Sequence, residues 1–138
     1  MLKHKLLIVE DSEDERILLG RSFDKTPDCE VITSLPDALG AIDYLSGAGA
    51  FADRDRFPFP DVVVMDCNMP RMSALEFLQW FHEKAFEGVI VIVMSNLFQD
   101  GQSDTMIARG AKLCLVKSEA AETAKSIMGF LGGLPGRT

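Results

Sequence analysis

Five apolar runs recur along the chain: Leu6-Leu7-Ile8-Val9, Cys29 to Thr33, Asp61 to Met65, Val89 to Met94, and Leu113-Cys114-Leu115-Val116. Runs without polar alternation suit strands covered by helices on both faces. The stretches between and after them carry apolar residues at helical spacing, and such alternation is the signature of a parallel sheet wound on both sides. The pattern therefore predicts an α/β fold, a doubly wound five-stranded parallel sheet.

The helix signals are local. Ser12 and Glu15 have capping-box spacing, with Ile17, Leu18 and Phe23 as the apolar stripe of a first helix. Ser34 is expected to cap a second helix bearing Ala38, Leu39, Ile42 and Leu45, with Gly47 at its C-terminal end. Ser73 and Glu76 repeat the capping-box spacing ahead of Ala74, Phe77, Leu78, Phe81 and Ala85. A polar loop from Asn96 to Gln102 precedes a short helix ending near Gly110. The last helix is expected from about Glu119 to Leu131, burying Ala120, Ala124, Ile127, Met128 and Leu131. Between Gly47 and Pro60, around the charged centre Asp53-Arg54-Asp55-Arg56, no period fits, so an extended surface connection is expected. Residues 1–131 read as one domain, 132–138 as a flexible tail, with no output domain.

Composition narrows the function classes. With 138 residues, 47% hydrophobic and 25% charged, the chain is an ordinary globular domain. A net charge of -7 with no basic stripe argues against direct nucleic-acid binding. No apolar run reaches membrane-spanning length and the N-terminus does not read as a signal peptide, so a cytoplasmic location is expected. Cys29, Cys67 and Cys114 lack CxxC spacing and read as reduced thiols packed as small apolar residues. Met65, Met69, Met72 and Met94 read as core rather than soft-metal ligands, and His4 and His82 as surface or packing residues.

The chemistry lies at the strand ends. Glu10 and Asp11 follow the first run and Asp66 follows the third. If these strands are neighbours, three carboxylates meet in the crevice where open α/β sheets bind ligands. Such anions repel unless a hard divalent cation such as Mg2+ neutralises them. Ser95 follows the fourth run and Lys117 the fifth, so a carboxylate nucleophile, a cation cradle, a hydroxyl and an ammonium would line one phosphoryl-transfer pocket. Blander roles stay open: Glu10, Asp11 and Ser12 as helix caps, Ser95 as a loop hydroxyl, Lys117 as a solvated strand end. Asp66 resists such a reading, because an unpaired carboxylate after four apolar residues is costly.

In this order and spacing, Glu10-Asp11, Met65-Asp66-Cys67-Asn68-Met69-Pro70, Ser95, Gly110-Ala111 and Lys117 resemble the receiver domain of two-component response regulators, the CheY-like family. The resemblance implies a flavodoxin-like (βα)5 fold of strand order 2-1-3-4-5, and a stand-alone receiver that takes a phosphoryl group from a sensor histidine kinase or phosphotransfer protein. It implies Asp66 as phosphoacceptor and Ser95 and Lys117 as phosphoryl ligands. Main-chain N–H groups near Cys67 and Asn96 would assist. Mg2+ would be held by Glu10, Asp11, Asp66 and the main-chain carbonyl of Asn68. Catalysis would be confined to self-phosphorylation and slow autodephosphorylation. Output would pass to a downstream protein, with homodimerisation through the fourth helix, fifth strand and last helix. The segment Gly47 to Pro60 resembles single-domain regulators that partner phytochrome-like kinases.

Three positions depart from the family pattern. Cys114 stands where an aromatic is usual, Ser118 where a proline follows the lysine through a cis bond, and Ala74 where glycine is usual. Ser118 is a candidate cap for the last helix instead. Two other readings are a receiver-like scaffold that is never phosphorylated and a haloacid dehalogenase type phosphatase. The latter needs an acid where Asn68 stands.

Overall fold

The computed structural model describes residues 3–134. Its strands are β1 (His4–Val9), β2 (Cys29–Leu35), β3 (Val62–Asp66), β4 (Ile90–Ser95) and β5 (Leu113–Val116). Its helices are α1 (Glu13–Asp24), α2 (Ala38–Ser46), α3 (Ala74–Lys84), α4 (Gln102–Ala108) and α5 (Ala120–Gly132), with a 3-10 turn at Gly49–Ala52. The strands run parallel in the order β2-β1-β3-β4-β5, the flavodoxin-like receiver topology that the resemblance implies.

Strand alternation divides the core. Leu7, Val9, Val63, Met65, Val91 and Val93 face α2 and α3, meeting Ala41, Tyr44, Leu45, Phe77 and Leu78. Leu6, Ile8, Val62, Val64, Ile92 and Met94 face α1 and α5, meeting Leu19, Phe23, Ala124, Ile127 and Leu131. Both faces of the central strands are dry, as their unbroken apolar runs require. Val9 lies beside Met65 and Asp66 beside Met94, so β1, β3 and β4 end at one edge of the sheet.

Several local expectations are corrected. In α1 the sheet-facing residues are Leu19 and Phe23, while Ile17 and Leu18 are exposed. The inward face runs through Arg16, Leu19, Gly20 and Phe23 at i, i+3, i+4 and i+7. An arginine and a glycine hid it. Ser34 lies inside β2, and Asp37 caps α2 by accepting the Gly40 N–H at 2.7 Å. Pro36 accounts for the shift, since it holds Leu35 extended. Leu39 is exposed and Ile42 half-buried, while Ala38, Ala41, Tyr44 and Leu45 make the buried face. At its far end α2 stops on Gly47 in the left-handed region, φ 69°.

The segment from Gly47 to Pro60 lies at the surface as expected but is packed on itself as a lobe rather than extended. The rings of Tyr44, Phe51 and Phe57 meet with centroids 4.9–6.2 Å apart. Arg54 lies over Tyr44 and Phe59 and donates to the carbonyls of Leu45 and Phe57, while the Tyr44 hydroxyl donates to Pro58 O at 2.7 Å. Irregularly spaced aromatics build this lobe, so no period betrayed it.

In α3, Ala74, Phe77 and Leu78 are buried and Phe81 is half-buried, but Ala85 is the exposed left-handed C-cap. In α5, Thr123 joins Ala124, Ile127 and Leu131 in the core, and Ala120 and Met128 are half-buried. Gly132 closes α5 and Leu134 packs against the core; residues 135–138 of the expected tail lie outside the described residues. The three cysteines are free, Cys29 and Cys67 buried and Cys114 half-buried. His4 is buried in β1 and His82 is exposed. Among the described residues no helix is long and apolar enough to cross a membrane.

Candidate phosphoryl-transfer site

Because β1 and β3 are neighbours, Glu10, Asp11 and Asp66 converge, each offering a carboxylate oxygen within 4.8 Å of the others. Glu10 is buried, Asp11 exposed, and Asp66, the last residue of β3, only 7% exposed. Lys117 reaches in from the end of β5. Its Nζ lies 2.5 Å from Glu10 Oε1, 3.1 Å from Asp66 Oδ1 and 3.4 Å from Glu15 Oε2. The Lys117 N–H donates to Ser95 O at 2.8 Å, tying the end of β5 to the end of β4.

Ser95 is fully buried at the end of β4. Its hydroxyl donates to Leu97 O at 3.0 Å and accepts from the Asn68 side-chain amide at 3.4 Å. The expected residues thus form two groups: Glu10, Asp11, Asp66 and Lys117 directly together, and Ser95 at the end of β4 with Asn68 on the loop after β3. The bland alternatives fail for Lys117, whose side chain is 90% buried among carboxylates, and hold in part for Glu10, which also accepts the Ser12 N–H at 3.0 Å.

Three expectations at the site change. Ser12 does cap α1, accepting the Glu15 N–H at 3.3 Å, but the reciprocal bond of a capping box is missing: the Glu15 carboxylate turns to Lys117 and Glu10 takes the Ser12 N–H. A charged donor outcompetes a peptide N–H. The Cys67 N–H donates to Met94 O at 2.7 Å, so it must leave the strand ladder before it can serve a ligand. No described peptide bond is cis, and Ser118 does not cap α5; Glu119 holds that position, while the Ser118 N–H donates to Thr123 Oγ1 at 3.1 Å.

Arg16 went unread. Its guanidinium donates to the carbonyls of Glu10 and Asp11 at 2.7 and 3.3 Å, fixing the main chain that carries both carboxylates. Its sequence signal is a cation completing the inward face of α1.

Burial raises the Glu10 carboxyl to about 7, with Lys117 and the Ser12 N–H pulling it down. Burial also raises Asp66 against the pull of Lys117. For Lys117, burial alone would lower the pKa, but the bonds to Glu10 and Asp66 outweigh it and the ammonium is held. A carboxyl raised in the fold contributes stability that is present below its unfolded pKa, 4.5 for Glu10, and is lost as pH rises through about 7. Without divalent cations, the chain should therefore become more stable between pH 7 and pH 5, by on the order of 1 kcal/mol, which urea midpoints would read. Glu10→Gln should flatten that profile. A wild-type profile falling over the same interval would refute the assignment.

Hard, clustered carboxylate oxygens at a partly open crevice fit a divalent cation of the Mg2+ class. The adjacent ammonium fits a transferring phosphoryl oxygen. Residues 6–128 match the response regulator receiver domain. The chain belongs to this family. Among curated relatives, this receiver is 34% identical over 106 residues to the protein-glutamate methylesterase/protein-glutamine glutaminase of Chromohalobacter salexigens, covering 77% of its own length and 27% of the relative's. It matches the enzyme of the same name from Treponema denticola at 30% over 122 residues, or 87% of this chain and 30% of the relative. The chain thus spans under a third of the length of these relatives. Among solved structures, the response regulator RPA3017 of R. palustris superposes with a TM-score of 0.80 at 21% identity, covering 98% of this chain and 96% of that one. The Mn(2+)-bound response regulator Rcp1 gives 0.78 at 22%, covering 98% and 97%. At these identities the likeness speaks for the fold.

Proposed function

We propose that this receiver accepts a phosphoryl group on Asp66 from the phosphohistidine of a sensor kinase or phosphotransfer protein and passes the signal through protein contact. The observation that carries the reading is Lys117 Nζ set between Asp66 and Glu10 at 3.1 and 2.5 Å in a pocket of three carboxylates. An Asp66 oxygen attacks phosphorus as the P–N bond to imidazole breaks, the electron pair leaving with the ring nitrogen. Lys117 offsets charge on a phosphoryl oxygen, and the Ser95 hydroxyl exchanges Leu97 O for another. Glu10, Asp11, Asp66 and the Asn68 carbonyl would hold Mg2+, which supplies neutralisation of the charge on the transferring group. Leu97, Ile107 and Val116, exposed by 75%, 46% and 56% around α4 and β5, support a protein contact there, including one with a second copy.

Incubation with Mg2+ and acetyl phosphate should add one phosphoryl mass to the intact protein. No mass gain would favour the unphosphorylated scaffold. Isothermal titration should show Asp11→Ala weakening Mg2+ binding roughly tenfold, about 1.4 kcal/mol. Unchanged affinity would put the cation elsewhere.

A further inference from the structure

The first turn of α4 is held to the sheet by two thiols. Gln102, the first residue of α4, bonds at both ends of its side chain: Oε1 accepts the Gln99 N–H at 2.9 Å and Nε2 donates to Cys67 Sγ at 3.2 Å. The Gln99 donor is a main-chain N–H, so the oxygen must face it and the amide nitrogen must face sulfur. Cys67 follows Asp66 directly and is buried. One residue further along the helix, the Cys114 thiol of β5 lies 3.7 Å from Ser103 O.

Little else secures this helix. Met106 is the one buried residue of its seven, and Gly101 before it offers no side-chain cap. A helix of two turns without a broad apolar face is marginal, so each contact that places it weighs heavily. Beside Gln102 lies a cleft of about 390 Å³, lined among others by Asn68, Ser73, Thr105 and Met106, into which the turn can shift.

We propose that Gln102 is a positioning residue that couples the Asp66 end of β3 to α4, so that a change at Asp66 reaches the helix through Cys67 and the Gln102 amide. It rests on the phosphorylation reading above. Asp66 and Cys67 share one peptide unit, and movement of the strand end displaces Sγ, which Gln102 converts into displacement of both α4 and the preceding loop at Gln99. A residue that merely filled space here would serve as well without its amide.

The test is hydrogen exchange over residues 102–108 with and without Mg2+ and beryllofluoride, with uptake of the probe followed separately by fluorine NMR. In the unaltered chain the exchange rates of α4 should change on uptake. In Gln102→Leu, uptake should persist while the α4 response falls about fivefold or more, the lower range of coupling energies. Cys67→Ala cuts the same contact from the other end and should lose the response equally, whereas Cys67→Ser keeps an acceptor and should restore it. A full α4 response in Gln102→Leu, or equal loss in Cys67→Ala and Cys67→Ser, would overturn the coupling while leaving phosphorylation standing. Failure of the unaltered chain to take up beryllofluoride would overturn both.

Discussion

Asp66→Asn is expected to abolish phosphoryl uptake entirely while leaving a chain at least as stable as the parent. The amide keeps the shape of the side chain and loses the nucleophilic oxygen, so neither acetyl phosphate nor a phosphorylated partner should add mass. The stability follows first from the burial of the Asp66 charge, with Asp11 and Glu15 adding repulsion. Asp66 is buried beside Glu10 and Asp11, and its raised pKa means that the fold disfavours its ionised form. Near neutral pH, removing that charge relieves its desolvation and the lesser repulsion, at the loss of one of three Lys117 contacts. The expected gain is on the order of 1 kcal/mol in urea unfolding without divalent cations. Residual labelling would mean that another side chain is the acceptor, and a marked loss of stability would mean that the Lys117 pairing outweighs the repulsion.

The opposite change should be severe. Lys117→Ala removes the single ammonium from a pocket that buries Glu10 and Asp66, and breaking a buried ion pair from one side costs about 3–5 kcal/mol when the remaining charge cannot escape. Here part of it can, by protonation, so the loss should be largest at pH 8 and shrink toward pH 5. Saturating Mg2+ should restore much of it, because the cation replaces the missing positive charge. Some phosphorylation should survive, but the response should not, since in the proposed function the ammonium would link the phosphoryl group to β5 and Ser118. Unfolding curves at both pH values, with and without Mg2+, together with partner binding after phosphorylation, would check this. A variant that retained the full phosphorylation-dependent change in partner binding would show that β5 is not in the path.

The sheet and the site were legible in the sequence for the same reason. A parallel strand covered on both faces must be apolar throughout, so each polar residue that ends such a run stands at the carboxyl edge where ligands bind. Glu10, Asp66, Ser95 and Lys117 could be placed on that basis before any coordinates. The misreadings arose where a residue served a purpose its type does not advertise. Gly20 and Arg16 occupy the inward face of α1, so Ile17 and Leu18 drew the stripe wrongly. Ser34 has the chemistry of a cap, but Pro36 delays the helix to Asp37. Phe51, Phe57 and Phe59 pack through an irregular backbone, and hydrophobic periodicity is silent about contacts that a loop makes. The thioether and thiol residues were read correctly as packing, yet the bond from Gln102 to Cys67 depends on a glutamine rotamer that spacing alone does not determine.

Asp66 and Ser95 end β3 and β4, inner strands of the sheet whose amides are expected to be among the last to open, while α4 is a short helix with one buried anchor. The proposed chemistry and its readout would therefore run on separate clocks. Under the proposed function, the pocket would keep one geometry over the life of a phosphoryl group while α4 crossed between arrangements many times. A partner would then meet a shifted proportion of helix positions, and the strength of the signal would be graded by how far each contact at Gln102 and Met106 tilts that proportion.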